Sequence, residues 1–200
     1  MSSVICLARM PERGKVKTRI AATAGHERAL EIYTDLVSRT ARLLAALDES
    51  FEVEVTLADP FDFVQAQSYF GLRPLLTQQA AGDLGQRLCV AAIRGFVGGA
   101  RQVILIGSDC PALTPDILTQ ASHRLNDVPV VFGPATDGGY YLLGLTRIVP
   151  ELFADIPWGG ADVLCRSQER LNAARIPWAT LAELRDVDTL EDWEYYRNLT

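Results

Sequence analysis

Val103-Ile-Leu-Ile-Gly-Ser-Asp-Cys-Pro-Ala-Leu113 is the stretch whose reading decides the fold. Val103 to Ile106 is a short apolar, β-branched run without polar alternation, the pattern of a strand buried on both faces of a parallel sheet. Such a strand belongs at the sheet's centre. Gly107 breaks the run, Pro111 cannot extend it, and Thr114-Pro115 is a cap and first-turn pair for a helix. Asp109 is thereby placed where a buried strand ends and a helix is about to begin. Ligands in open α/β sheets bind beyond the carboxyl ends of strands, so Asp109 is a candidate for holding a metal or a substrate hydroxyl. The same residue also reads as an Asx-turn that bonds only loop amides.

Outward from this stretch, the chain alternates predicted strands and helices. Val4 to Ala8 is a buried strand. Glu27 to Leu47 carries the 3.6 period of a long amphipathic helix, and Phe51 to Ala58 alternates as a half-exposed strand. Phe61 to Phe70 is a short helix, Pro74 to Thr77 a short strand, and a helix with Leu84, Leu88 and Ala91-Ala92 on one face follows Gly82. Beyond the central strand come a helix over Thr114 to Leu125 and a buried strand over Pro129 to Phe132. Asp137-Gly-Gly139 makes a tight turn between antiparallel strands, a helix ends near Ala174, and Ile176 to Thr180 is a strand. Alternation of this kind predicts an α/β protein with three layers, α/β/α, Rossmann-like, around a mixed but mostly parallel central sheet.

At 200 residues and 48% hydrophobic content the chain is sized for a single domain over residues 1–200. The formal charge of −6 argues against a nucleic-acid surface while allowing a local basic site. Cys6, Cys89, Cys110 and Cys165 lack any C-x-x-C spacing, so reduced thiols in a cytoplasmic protein are expected. No secretory leader pattern and no membrane-length apolar run is present, which predicts no membrane partner. A homodimer is left open.

The local basic site follows the first strand. Arg9, Arg13, Lys15, Lys17 and Arg19 fall within one loop, opposed only by Glu12, at the sheet edge expected for Asp109. Phosphates are the matching counter-charge. Lys17-Thr18 imitates the end of a Walker A loop, but Pro11 and Val16 stand where that motif needs glycine. In Gly82-Asp-Leu-Gly-Gln86, the glycines allow backbone to approach a ligand and Asp83 or Gln86 to contact a base or ribose; Asp83 also reads as the N-cap of an ordinary helix. Asp137, Gly138, Gly139 and Tyr140, with Trp158 beside Gly159-Gly160, offer open backbone and aromatic surface for an acceptor, although a turn and a buried tryptophan use the same residues. Asp186 and Asp188, two apart on an extended segment, point to one side. That arrangement suits a divalent cation and costs repulsion without one.

Arg9-x-Pro-x-x-Gly-x-Val-Lys-Thr-Arg19, Gly82-Asp-Leu-Gly-x-Arg87, Gly107-Ser-Asp-Cys-Pro111, Gly133-Pro-Ala-x-Asp-Gly-Gly-Tyr-Tyr141 and Asp186-Val-Asp-Thr189 together resemble, in order and over nearly the whole chain, the bacterial DUF2064 or "glycosyltransferase A" group. That group belongs to the nucleotide-diphospho-sugar transferase (GT-A) superfamily and is similar to phospholactate guanylyltransferases. The resemblance implies that Arg9, Arg13, Lys17, Arg19, Asp83 and Gly85 bind the nucleotide and its phosphates. It implies a Mg²⁺ or Mn²⁺ site at Asp109, Asp186 and Asp188, with Asp109, Lys17 and Arg19 as the catalytic set. Two departures stand out: Arg9 occupies a position more often lysine, and the D-x-D signature reads Gly107-Ser-Asp109, with one acid missing. The implied activity is metal-assisted transfer from a nucleotide donor to a small-molecule acceptor. A triphosphate donor is favoured over a nucleotide-sugar because a triphosphate calls for more cationic contacts; glycosyl transfer and a non-catalytic nucleotide-binding module are the alternatives. His26 and His123, the only histidines, lie in or beside helices and suggest no other chemistry.

Overall fold

In the computed structural model, which describes residues 1–198, a seven-stranded sheet lies between two layers of helices. The chain runs β1 (Ser2–Ala8), α1 (Thr18–Ala46), β2 (Phe51–Leu57), α2 (Phe63–Phe70), β3 (Leu75–Gln78), α3 (Leu84–Val97) and β4 (Gln102–Gly107). It continues through α4 (Pro115–Arg124), β5 (Val130–Pro134), β6 (Tyr140–Leu145), a 3₁₀ turn (Pro150–Leu152), α5 (Val163–Ala173), β7 (Trp178–Thr180) and α6 (Leu190–Arg197). The strand order is β3-β2-β1-β4-β6-β5-β7, which puts β4 at the centre as its apolar sequence predicts. Only β6 runs against the others among the described strands: it pairs antiparallel with both β4 and β5.

Alternation along the buried strands divides the core. Val4, Cys6 and Ala8 of β1 and Ile104 and Ile106 of β4 face α1, α4 and α6, meeting Ile32, Leu36, Leu44, Leu118 and Trp193. Ile5, Val103 and Leu105 face the other way, against Leu88, Ala91 and Ala92 of α3 and Leu171 of α5. β1 and β4 therefore contribute to two apolar layers, and burying both faces keeps polar side chains out of their middles.

Two expectations change. The strand Phe51–Leu57 is not half-exposed: Glu54 and Thr56 are buried along with the apolar residues. β2 lies inside the sheet between β1 and β3, and Arg94 from α3 closes over Glu54, whose carboxylate also accepts from Thr77 Oγ1 at 2.6 Å. The first helix begins at Thr18 rather than Glu27, with a break at Gly25, where φ is +85°. Glycine meets that angle without the Cβ clash any other residue would carry, and the helix kinks there.

The order reverses between β1 and β4: β1 leads to β2 on one side, while β4 is flanked on its other side by β6. Crevices for ligands form at such a switch point, outside the carboxyl ends of the strands. The loops after β1, β2, β3, β4, β5 and β7, and the start of the reversed β6, all lie along this edge.

Candidate active site

The β1–α1 loop is held down by its apolar residues. Met10 and Val16 are buried, leaving the charged residues between them outside the core. Tyr33 of α1 pins the start of the loop: its hydroxyl accepts the Arg9 N–H at 2.9 Å, donates to the Arg9 carbonyl at 3.2 Å, and lies 3.1 Å from Ser108 Oγ after β4. At the far end Lys17 takes a left-handed conformation, φ 46° and ψ 53°, at the N-cap of α1. A non-glycine residue there costs on the order of 1 kcal/mol, and such strain persists where the surroundings over-determine it. Here the surroundings are two carboxylates. Lys17 Nζ stands 3.0 Å from Asp109 Oδ1 and 3.1 Å from Asp188 Oδ1, with its side chain only 6% exposed. Burial alone would lower its pKa; Asp109 and Asp188 outweigh that and hold it above the ordinary value.

Around this pair lies a cavity of about 490 Å³ at the switch point. Arg9, Lys15, Lys17, Arg19 and Arg87 line it together with Asp109 and Asp188. Arg19 reaches Asp188 Oδ2 at 3.4 Å, and Arg9 pairs with Asp59 at 3.1 Å. A cleft with five cations and two acids on its wall is suited to a polyphosphate, by charge and by the guanidinium forks available.

A second cavity of about 260 Å³ adjoins the first, the two sharing Leu7, Leu84 and Asp109. Asp186 lies on its wall beside Cys110, Tyr140 and Tyr141. The loop carrying Asp186 and Asp188 is fastened by Val187, which is buried and whose N–H donates to the Asp109 carbonyl at 2.9 Å. Asp186 and Asp188 therefore do not act as a same-facing pair on a strand. The last strand, β7, ends at Thr180; in the loop beyond it Asp188 turns toward Lys17 in the first cavity and Asp186 toward the second, with Asp109 between. Burial, reinforced by the nearby charges of Asp109, Asp137 and Asp188 and opposed by Lys17, pushes the Asp186 carboxyl up to about 7.

A divalent cation suits this donor set in kind. Asp109, Asp186 and Asp188 offer only carboxylate oxygens, the hard ligands such ions take, and Asp186 Oδ1 is buried without a hydrogen-bond partner among the described residues. The set is not assembled: among the described residues no three acidic, thiol or imidazole groups converge as ligands, and the Lys17 ammonium stands between Asp109 and Asp188.

Several other predicted positions have structural work. Asp83 is the N-cap of α3 in a full capping box with Gln86, its carboxylate accepting the Gln86 N–H at 2.9 Å. Gly85 is buried in the first turn, where a Cβ would come within 2.5 Å of Trp158 Nε1 and 2.7 Å of the Phe153 carbonyl. Asp137 accepts the Gly139 N–H at 2.9 Å, and at Gly138, with φ +90°, a Cβ would fall 1.9 Å from the Ala161 carbonyl oxygen. Trp158 stands behind Tyr140, edge-on, with ring centroids 6.3 Å apart. Arg13 pairs with Glu27 on the surface and does not line the cleft. Conversely Arg87 and Ser108, which stand in the quoted motifs but were given no role, and Gln79, which was not singled out, line the first cavity. Arg87 lies one helical turn beyond the Asp83 cap, a spacing that could have pointed to it.

This architecture, a mostly parallel sheet with its cleft at the β1/β4 switch point and a carboxylate after β4, is that of the GT-A-like and nucleotidyltransferase folds. The chain belongs to the DUF2064 family, described as "Uncharacterized protein conserved in bacteria", whose profile matches residues 43–160. Among solved structures it is similar to a Desulfovibrio desulfuricans protein provisionally classed as a nucleotide-diphospho-sugar transferase. The two are 32% identical, the match covers 98% of this chain and 87% of that one, and the TM-score is 0.90. Two more distant structures share the fold. One is CMP:2-keto-3-deoxy-manno-octonic acid synthetase complexed with CTP, at 18% identity, 100% and 98% coverage and TM-score 0.58. The other is Mycobacterium tuberculosis Rv0371c in complex with manganese, at 16% identity, 100% and 99% coverage and TM-score 0.58. Among curated proteins no significant match is found.

Proposed function

We propose that the protein is a nucleotide-dependent transferase that moves a nucleotidyl group from a nucleoside triphosphate to a small-molecule acceptor. The observation that carries this reading is the five-cation lining of the first cavity around the Lys17–Asp109–Asp188 cluster. Arg9, Lys15 and Arg87 would grip the phosphate chain, while Lys17 and Arg19, already charge-paired, would turn from Asp188 toward the phosphate oxygens as pyrophosphate leaves. Fixed cations in a partly enclosed cleft stabilise developing charge with little reorganisation, so positioning and electrostatics supply the catalysis without a covalent intermediate. Asp109, Asp186 and Asp188 would hold Mg²⁺ or Mn²⁺, and such an ion when bound would neutralise phosphate charge and polarise the reacting phosphoryl group. Lys17, held by Asp109 and Asp188 in this structure, would exchange those contacts for the donor's phosphate oxygens.

A second reading is glycosyl transfer from a nucleotide-sugar, supported by the class given to the 32%-identical relative. Released product separates the two. Incubation with nucleoside triphosphates and Mg²⁺ is expected to yield pyrophosphate dependent on acceptor. Release of nucleoside diphosphate from sugar nucleotides, with no pyrophosphate from any triphosphate, would reverse the assignment.

A further inference from the structure

Lys17 stands on the oxygens that a metal ion would need. Its Nζ lies 3.0 Å from Asp109 Oδ1 and 3.1 Å from Asp188 Oδ1, and Asp109 Oδ1 is buried, so with the ammonium in place that oxygen is closed to an ion from the cleft. The lysine is not a loose surface arm. Val16 before it and Ile20 three residues beyond are buried, its own backbone is left-handed, and its side chain is almost wholly enclosed. Hard divalent ions take carboxylate oxygens directly, and a dication sharing these two with a fixed ammonium would be repelled by it. One lysine does not complete the cluster, however: among the described residues Asp186 Oδ1 has no hydrogen-bond partner, and Arg19 pairs only with Asp188. A second set of anionic oxygens is what would let the ammonium go. Lys17 lines the first cavity with Arg9, Lys15, Arg19 and Arg87, and a polyphosphate held by those four cations would offer Nζ the charge-assisted bonds it gives up at Asp109 and Asp188.

We infer that Lys17 is a built-in stand-in for the metal ion: in the nucleotide-free protein it keeps Mg²⁺ or Mn²⁺ off Asp109 and Asp188, and a bound triphosphate opens that site by taking the ammonium onto its own oxygens. Ion and nucleotide then bind as a coupled pair, and because coupling is reciprocal each tightens the other by the same factor. The inference rests on the donor and metal assignments made above and adds an order to them: the free ion does not load the protein first.

Mn²⁺ binding to the full chain, followed by water-proton relaxation enhancement with no acceptor present, tests this independently of activity and separates protein-bound ion from ion held by free nucleotide. Wild type alone is expected to bind Mn²⁺ weakly, and Lys17→Met at least about tenfold more tightly, although the same substitution weakens triphosphate binding. A general loss of structure cannot raise affinity for one ligand while lowering it for another. Adding Asp109→Asn to Lys17→Met should abolish the gain, Lys17→Arg should bind as weakly as wild type, and Lys17→Gln serves if Lys17→Met does not fold. ATP, CTP, GTP and UTP, offered in turn, should include one that tightens Mn²⁺ on wild type at least about tenfold. Equal Mn²⁺ affinity in wild type and the neutral variants would overturn the inference, as would a gain that survives Asp109→Asn. So would a triphosphate that binds wild type without tightening Mn²⁺. Tighter Mn²⁺ in the neutral variants, with no triphosphate bound by wild type, would instead keep the blocking role of Lys17 and remove the donor reading, so the two failures are distinct.

Discussion

At Lys17 a strained backbone and two carboxylates act together. Its ammonium offsets repulsion between Asp109 and Asp188, both about 40% exposed, so the pairing is partly screened by solvent. Lys17→Met is expected to lower stability by about 1–2 kcal/mol in urea unfolding. Loss of triphosphate binding, at least tenfold by titration calorimetry, should accompany it; unchanged binding would remove Lys17 from the donor site. Asp186 gives a pH dependence with a defined sign. Its folded pKa, about 7, lies above the unfolded value near 3.8, so between those values the folded state binds the extra proton. Its contribution to stability is full below about pH 4, falls as pH rises, and is lost above about pH 7. Wild type should therefore lose more stability between pH 5 and pH 8 than Asp186→Asn, by up to a few kcal/mol in urea midpoints. An identical slope in the variant would contradict the assignment. The reach of sequence differs between these residues. Lys17 and Asp109 were legible from their places after predicted strands, whereas the perturbation of Asp186 depends on Asp137, 49 positions away in the chain, and on burial that no local pattern encodes.

At the scale of elements, the informative one is the start of α3. Its capping box accounts for Asp83 fully, so Asp83→Ala should cost about 1 kcal/mol of stability while leaving triphosphate affinity within twofold. A tenfold loss of affinity would restore Asp83 to the nucleotide site. Gly85, two residues further on, is constrained by packing: an added methyl meets the Trp158 ring and the Phe153 carbonyl. Gly85→Ala is expected to destabilise by about 1–3 kcal/mol and to shift tryptophan emission, since the Trp158 indole must move. A wild-type spectrum and melting temperature would show that the contact yields freely. Capping was readable because its signal is four residues long. The contact with Trp158 was not, because α3 and residue 158 meet only when the helical layer on that face of the sheet is assembled.

For the whole molecule, the sheet order places every candidate group on one edge: the basic loop after β1, Asp109 after β4, and Asp186 and Asp188 after β7. A ligand that binds only the folded chain raises its melting temperature by mass action. Nucleoside triphosphates with Mg²⁺ or Mn²⁺ should therefore raise it by several degrees more than either component alone, and strictly additive shifts would speak against a shared site. No described helix is long and apolar enough to cross a membrane. What sequence determined by itself was whatever short-range physics dictates: apolar runs made β1 and β4 two-sided strands, Thr114-Pro115 and Asp83 started helices, and a basic loop followed the first strand. Tertiary structure decided the rest. It buried Glu54 under Arg94, ran β6 against its neighbours, and turned Asp186 and Asp188 into different cavities on either side of Asp109. The reason is distance along the chain: caps and periodicity act within a few residues, whereas burial, charge coupling and cavity shape arise between segments that only the packed sheet brings together.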